Sequence, residues 1–173
     1  VEGYQLGDPM FIEREHNTIW YKFTAPYNAT FEFDLVPIHP EDDFDFMLFR
    51  YDGPSFCRTF VKGEAVPVRS NISRKNIEVD GHTGLKQSAI EEYVPSGPGD
   101  SYSRALEVKK GEQYYMLVDN PFRQNRGHSV YLFFHRLGAK EPRKREEPEE
   151  PEYDPLTTQL RINVFDKETG DPV

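Results

Sequence analysis

An alternation of aromatic and acidic residues constrains the fold of this chain more than any other feature of its sequence. In the segment Phe31-Glu32-Phe33-Asp34-Leu35, apolar side chains stand two residues apart and acidic side chains fill the positions between them. Successive side chains of a β-strand point to opposite faces, whereas a helix would scatter these apolar residues around its axis. The segment therefore predicts a strand with one buried and one solvated face.

The same two-residue period recurs along much of residues 17–135. Asn17–Ala25 reads as the preceding strand, and Ala25-Pro26-Tyr27-Asn28 as the turn of a hairpin. The other predicted strands, each bounded by Gly, Pro, Asn or Asp, are Phe44–Tyr51, Ala65–Arg69, Ser103–Lys109, Gln113–Asp119 and Ser129–His135. Only Lys86–Tyr93 has a helical pattern. About seven short strands predict an all-β fold, an antiparallel β-sandwich of jelly-roll or immunoglobulin-like type.

The side chains available for a core are largely aromatic. Phe, Tyr and Trp make up 14% of the chain, although hydrophobic residues of all kinds reach only 36%. Large aromatic side chains bury much apolar surface per residue, so this composition supports a compact core. The expected core residues on the predicted strands are Phe31, Phe33, Leu48, Met116, Leu132 and Phe134.

The composition changes sharply after residue 137. Lys140–Glu152 contains three prolines and many charged residues but no large apolar side chain, so it has nothing to bury. We therefore expect one β-sandwich in residues 1–137 and a charged, Pro/Glu-rich linker in residues 138–155. Residues 156–173 hold one more alternating segment, which predicts the first strand of a truncated second β domain, because one strand and a turn cannot fold alone.

The charge and cysteine content exclude several classes of function. The 30 acidic and 21 basic side chains give a net charge of −9, which repels nucleic-acid phosphates, so we expect no nucleic-acid partner. No apolar run approaches the roughly 18–20 residues that cross a bilayer, so no transmembrane segment is expected in this chain. The single cysteine, Cys57, permits neither an internal disulfide nor a zinc site built from cysteines.

Sequence motifs of the common enzyme classes are missing. The chain has no Gly-x-Ser-x-Gly elbow, no Gly-x-x-x-x-Gly-Lys-Ser/Thr phosphate loop and no His-Glu-x-x-His pair. Its five histidines lack the spacing of metal ligands. A Ser/His/Asp set built from distant loops is recognised only by geometry and stays open at this point. The sequence favours a protein that is not an enzyme, with Ca²⁺ as the one cofactor to consider.

Two acidic segments point to this metal ion. The run Glu41-Asp42-Asp43-Phe44-Asp45 places four carboxylates just before and inside a predicted strand, and Glu13, Glu15 and Asn17 precede the first strand. Ca²⁺ takes about six to eight oxygen ligands, which carboxylate and amide groups supply. These two segments are therefore a candidate calcium site, and the alternative is an acidic loop exposed to solvent.

Five segments between residues 13 and 135 follow one another in a characteristic order. They are Glu15-x-Asn17-x-x-Trp20-Tyr21-x-Phe23-x-Ala25, Phe31-x-Phe33-x-Leu35, Asp43-Phe44-Asp45-Phe46-x-Leu48, Gly111-Glu112-x-Tyr114-Tyr115-x-Leu117-Val118-Asp119-Asn120 and Val130-Tyr131-Leu132-Phe133-Phe134. Together they resemble the bacterial pre-peptidase C-terminal, or PPC-like, β-sandwich. With Pro67-Val68-Arg69-Ser70-Asn71 and Thr83-Gly84-Leu85 between the halves, the chain is most similar to copies in cell-envelope and type IX secretion-associated proteins of Bacteroidota.

The end of the chain carries a second resemblance. The segment Ile162-Asn163-Val164-Phe165-Asp166-x-x-Thr169-Gly170-x-Pro172-Val173 is similar to the first strand and turn of a carboxypeptidase-regulatory-like β domain. In Bacteroidota, such modules often precede an OmpA-type peptidoglycan-binding domain.

These resemblances imply a function and a location. They imply a non-catalytic structural and interaction module of a larger bacterial cell-envelope protein, exported to the periplasm, the outer membrane or the cell surface. Its partners would be other cell-envelope proteins, bound through loops or a sheet face. In some relatives, acidic and amide residues before the first strands hold Ca²⁺, which maps onto Glu15, Asn17, Asp43 and Asp45.

A carbohydrate- or peptidoglycan-binding module is the alternative function. Aromatic side chains stack on sugar rings, and Tyr93, Tyr102 and Phe122 are the candidates here. A sugar-binding face needs two or three such rings in a row, but these three lie in separate predicted loops. Protein–protein contact is therefore the leading prediction.

Overall fold

Eleven β-strands and one short α-helix occur in the part of the chain that the computed structural model describes. That part is residue 12, residues 16–74, 79–121 and 126–137, and the backbone of residues 162–166. The strands are β1 (Ile19–Thr24), β2 (Ala29–Pro37), β3 (Asp45–Arg50), β4 (Arg69–Ser73), β5 (Thr83–Lys86), β6 (Tyr93–Gly97), β7 (Tyr102–Arg104), β8 (Leu106–Val108), β9 (Gln113–Asp119), β10 (His128–Arg136) and β11 (Ile162–Asp166). The helix α1 spans Phe56–Val61, between β3 and β4.

The strands form two sheets, called here the first and the second sheet. The first sheet has the order β1-β9-β3-β4-β6, and the second has the order β11-β10-β2-β5-β7, with β8 also paired to β2. The prediction of a mostly β, sandwich-like fold is thus confirmed. The prediction of purely antiparallel sheets is wrong, because β4 with β6, β5 with β7 and β10 with β11 are parallel pairs.

The parallel pairs between β4 and β7 follow from the path of the chain. Strands β4 and β6 lie in the first sheet, and β5 and β7 lie in the second, so the chain changes sheet at each connection. A short connection across a sandwich reverses the strand direction, and a second crossing restores it. Each strand therefore returns parallel to the one before it in the same sheet. Strand periodicity predicts which face is buried but carries no information about this path.

The predicted hairpin of the first two strands is also wrong. Strand β1 pairs with β9 in the first sheet, and β2 pairs with β10 in the second. The turn after Thr24 therefore crosses from one sheet to the other. This path places the apolar faces of β1 and β2 against each other. The ring centroids of Phe23 and Phe31 lie 4.9 Å apart. A hairpin in one sheet would have left those faces side by side.

The strand bounds agree with the sequence best where the strands are long. Gln113–Asp119 is confirmed without change as β9, and β3 and β10 differ from their predicted bounds by about one residue at each end. The predicted strand Ala65–Arg69 is displaced, since β4 begins only at Arg69. Ser103–Lys109 is interrupted at Ala105, which separates β7 from β8.

The predicted helix is wrong. Lys86 ends β5 and Tyr93 begins β6, and both of these short strands escaped the sequence analysis. The helix lies instead at Phe56–Val61, where Phe56 and Phe60 stand four residues apart and are both buried. Residues with this spacing share one helix face, and here that face packs on the first sheet.

The interior consists of two apolar clusters. The cluster between the sheets contains all six predicted core residues, each at most 3% exposed, which confirms that prediction. The second cluster lies on the outer face of the first sheet, where Met47, Phe49 and Leu117 contact Phe56 and Phe60 of α1. The first sheet is therefore covered on both faces, and this explains why β9 is apolar on both of its sides.

The end of the chain is described only through the backbone of β11. This strand runs parallel to β10 at the edge of the second sheet, with Ile162 paired to Val130. The predicted linker, residues 138–155, lies outside the described residues, as does the rest of 156–173. The division into a sandwich of residues 1–137, a linker and a second β domain stays a prediction.

Candidate functional site

Three of the four predicted calcium ligands lie near one end of the first sheet. Asp45 begins β3 and is directly opposite Asp119, the last residue of β9. Asp43 is buried just before β3, and the Asn17 side chain donates a hydrogen bond to the carbonyl oxygen of Asn120 at 3.1 Å. Glu15 lies outside the described residues. Asn17 is therefore fastened to the end of β9, the strand that lies between β1 and β3.

Asp119 is the residue that organises this end of the sheet, and the sequence analysis missed it. Its fully buried carboxylate accepts hydrogen bonds from the His16 backbone N–H at 2.9 Å and the Thr18 hydroxyl at 2.8 Å. The other carboxylate oxygen lies 2.8 Å from His16 Nδ1. Asp119 thus fastens the segment before β1 to the end of β9. Its position at the end of an apolar strand was the one available signal.

The acidic run around residue 42 divides into two environments. Asp42 is buried and forms an ion pair with Arg126, whose Nη2 lies 3.0 Å from the carboxylate. Asp45 sits beside like charges instead: burial raises its pKa well above the usual range, and the charges of Asp43 and Asp119 raise it further. At the Asp45 end of the run, burial and like charges therefore oppose ionisation of the carboxyl group.

A calcium ion at this end stays a prediction. Among the described residues, no group of three or more His, Cys, Asp and Glu side chains is arranged to hold a metal ion. Calcium also accepts amide and carbonyl oxygens, which Asn17 and the neighbouring backbone supply. The four predicted ligands can therefore be tested as a set only by experiment.

Substitutions at Asp43 and Asp45 distinguish a calcium site from a metal-free acidic loop at this end of the first sheet. With a chelator present, Asp45→Asn should raise the melting temperature at pH 7, because it removes a carboxylate whose ionisation burial and two neighbours oppose. Millimolar Ca²⁺ should raise the melting temperature of the wild type but not that of Asp43→Asn/Asp45→Asn. Identical wild-type melting curves with Ca²⁺ and with chelator would leave only a metal-free acidic loop.

A buried histidine lies between the sheets near this acidic end. His128 is 4% exposed, and its Nε2 lies 2.6 Å from the Tyr21 hydroxyl. Its Nδ1 has no hydrogen-bond partner among the described residues, and the ring packs edge-on against Phe44. Burial lowers the pKa of His128 from 6.5 to about 4, and it raises the pKa of Tyr21 to about 12. The pair is therefore neutral at physiological pH.

His128 should make the protein less stable in mild acid. Between pH 6.5 and about 4, His128 is protonated in the unfolded state but stays neutral in the folded state. The contribution of His128 to stability therefore falls as pH falls through this window. The His128 contribution to this loss from pH 7 to pH 5 is about 2 kcal/mol, and the raised pKa of Asp45 acts in the opposite direction, so the difference between the wild type and His128→Gln isolates it. Urea unfolding at the two pH values measures it. His128→Gln keeps a neutral hydrogen-bonding group without a titration and should reduce the loss, whereas an equal loss in both proteins would contradict this assignment.

The three aromatic residues proposed to bind sugar do not form one row. Tyr93 lies in the first sheet and its hydroxyl donates to the Pro67 carbonyl at 3.1 Å, whereas Tyr102 lies in the second sheet. Phe122 lies outside the described residues. Tyr102 is held by Lys86, whose Nζ sits 3.9 Å over its ring, and by a hydrogen bond to Asp34. Tyr102 thus lies next to two charged side chains that could bind a polar ligand.

An aromatic residue remains exposed at the edge of the first sheet. Trp20 lies on the edge strand β1, with its ring 4.8 Å from Phe60 and 6.2 Å from Tyr115 in edge-to-face contacts. It is nevertheless 38% exposed, as is its neighbour Ile19 at 36%. Val61, at the end of α1, is also exposed. The exposed surface of Trp20 is called here the Trp20 patch. Ile19, the preceding residue of β1, points to the opposite face of the strand and is not part of this patch.

Comparison with known proteins identifies no relative. No protein-family model matches the chain, and neither the curated proteins nor the solved structures contain a match. In the part of the chain described above, no helix has the length and apolar character required to span a membrane.

Proposed function

We propose that this chain is a non-catalytic interaction module of a larger bacterial cell-envelope protein, and that it binds a protein partner through the Trp20 patch. The observation that carries the proposal is the exposure of a tryptophan that is already held in place. Four rings surround Trp20, namely Phe49, Phe56, Phe60 and Tyr115. Aromatic anchors dominate the energy of protein interfaces, and a fixed anchor loses little conformational entropy on binding.

The contacts of three of the described histidines support the non-catalytic part of the proposal. His16 contacts Asp119, His128 contacts Tyr21 and His135 contacts Glu32. None of these contacts joins a histidine to a serine or cysteine that it could activate as a nucleophile. Cys57 is exposed on α1. These histidines therefore act as structural groups.

The family and the location are parts of the same proposal. Two observations support the proposed family and location: the sequence contains the PPC-like segments, and these segments form core strands of a sandwich-like fold. Membership of the PPC-like family implies export to the periplasm, the outer membrane or the cell surface. The larger protein would be associated with type IX secretion or carry an OmpA-type peptidoglycan-binding domain. Fractionation of cells that produce the full-length polypeptide tests the location.

Site-specific photocross-linking in those cells tests the Trp20 patch. A photoreactive benzoylphenylalanine at position 20 of the full-length polypeptide should form adducts with one or a few envelope proteins, and Trp20→Ala should lose those partners on co-purification. The matched control is position 90, because Ile90 is more exposed, at 78%, and precedes β6 at the opposite edge of the first sheet. Equal adducts from both positions, or none from position 20, would contradict the proposal.

A further inference from the structure

The outer face of the second sheet carries a set of side chains that the Trp20 patch does not use. Strand β2 places Phe31, Phe33 and Leu35 in the core, so Glu32 and Asp34 point outward. Strand β10 alternates in the same way and directs Phe133 and His135 outward. Phe133 is paired with Glu32 in the register of the two strands. An aromatic ring therefore stands next to a row of carboxylates.

These side chains border a shallow depression of about 180 Å³. It is lined by Glu32, Asp34, Leu85, Lys86, Phe133 and His135. Pockets for drug-sized ligands have volumes of roughly 300–1,000 Å³, so this one fits a smaller group. All six lining residues are less than fully exposed, and they come from the adjacent strands β2, β5 and β10. The depression is thus built on the rigid part of the sheet rather than on loops.

Glu32 is a fixed hydrogen-bond acceptor in this depression. Its Oε1 accepts from the Gln87 backbone N–H at 2.6 Å, and its Oε2 lies 2.5 Å from Nε2 of His135. Both side chains are largely buried, at 18% and 14% exposure. These two contacts hold the carboxylate in a fixed orientation, and a carboxylate accepts hydrogen bonds from hydroxyl donors.

Asp34 adds an acceptor whose hydrogen bonding is incomplete. Its carboxylate is hydrogen-bonded to the Tyr102 hydroxyl, but Oδ1 has no hydrogen-bond partner among the described residues. Lys86 Nζ lies 3.6 Å from this oxygen, within ion-pair distance but too far for a strong hydrogen bond. The lysine side chain is 42% exposed, so it can shift. Because Oδ1 is buried, a hydroxyl group would reach it only when Lys86 moves aside, and it would then donate to Asp34 and accept from Lys86.

We propose that this depression binds one ring of a neutral saccharide. A sugar ring offers an apolar C–H face, which stacks on an aromatic ring such as Phe133, and hydroxyl groups that both donate and accept hydrogen bonds. Glu32 and Asp34 supply acceptors, and Lys86 supplies a donor. The lining holds two carboxylates and one lysine, which disfavours an anionic ligand, and the mixture of acceptors and a donor suits the hydroxyl groups of a neutral one.

Titration of the full chain with neutral oligosaccharides tests this site. The probes are cellobiose, maltose and N,N′-diacetylchitobiose, each at up to about 10 mM, followed by calorimetry or backbone-amide NMR. At least one should bind saturably and perturb the amides of β2, β5 and β10. Phe133→Ala and Asp34→Asn should each weaken binding by about tenfold or more, which corresponds to about 1.4 kcal/mol. Saturable binding that neither substitution weakens would overturn the proposal, as would the absence of binding by every probe.

Two controls keep the result interpretable. If Phe133→Ala does not fold, as judged by its melting curve, Phe133→Leu replaces it, because leucine keeps apolar bulk but lacks the stacking ring. Trp20→Ala should bind the saccharide as the wild type does, since Trp20 lies on the first sheet. Loss of cross-linking at position 20 with sugar binding intact would reject the Trp20 patch alone, and the reverse result would reject the saccharide site alone.

Discussion

Replacing Gly84 with alanine is expected to prevent the chain from forming its second sheet. Gly84 lies in β5 beside the central strand β2, and a Cβ atom added there would lie 2.0 Å from the carbonyl oxygen of Phe33 and 2.9 Å from its carbonyl carbon. Backbone atoms of a central strand cannot move aside as a flexible side chain can. The expected cost exceeds about 4–5 kcal/mol, a large part of the roughly 5–15 kcal/mol that stabilises a typical domain.

Gly53→Ala is the matched control for this effect. Gly53 also has a positive φ, +113° against +148° for Gly84, but a Cβ atom there would meet nothing within 4 Å. Gly53→Ala should therefore lower the free energy of unfolding only by the backbone strain, about 1–3 kcal/mol. Circular dichroism melts and urea unfolding of the two variants separate strain from clash. A loss of stability in Gly84→Ala no larger than in Gly53→Ala would show that β5 does not approach β2 this closely.

The sequence predicts the faces of the strands better than their partners. The alternation in Phe31–Leu35 identified the buried face of β2, because burial of that face requires a period of two. It could not show that β1 and β2 belong to different sheets, since a hairpin and a crossing between sheets need the same turn residues. The short strands β5 and β6 were missed for a related reason. With four and five residues, they are too short for a periodic signal.

The candidate sites divide in the same way. The proximity of Asp43 and Asp45 follows from their spacing, and the structure shows that their charges interact. The contact of His16 with Asp119 joins residues 103 positions apart, and it exists only because β1 pairs with β9. The proposed saccharide site likewise depends on strand order, because β2 must lie between β5 and β10 before Glu32 can contact both Gln87 and His135. Pairing of distant strands is the information that a single sequence lacks.

Phe33→Ala is expected to destabilise the sandwich by about 3–5 kcal/mol, because it removes a large side chain from the middle of the core. Phe33 is fully buried, and its ring meets that of Phe46 edge-on, at a centroid distance of 4.8 Å. The two rings belong to opposite sheets, so their contact holds the layers together. Urea unfolding measures the loss, with the exposed Ile90→Ala as the control that should change stability by less than about 0.5 kcal/mol.

A double-mutant cycle with Phe46 identifies how much of this loss comes from the contact between the sheets. Phe33→Leu and Phe46→Leu each keep apolar bulk but remove one ring of the pair. If the two rings meet across the core, the first substitution already removes their contact. The loss of unfolding free energy in the double variant should then be about 0.5–1.5 kcal/mol smaller than the sum of the losses in the two single variants. Strict additivity, or a loss below about 1 kcal/mol in Phe33→Ala, would mean that Phe33 does not face the first sheet.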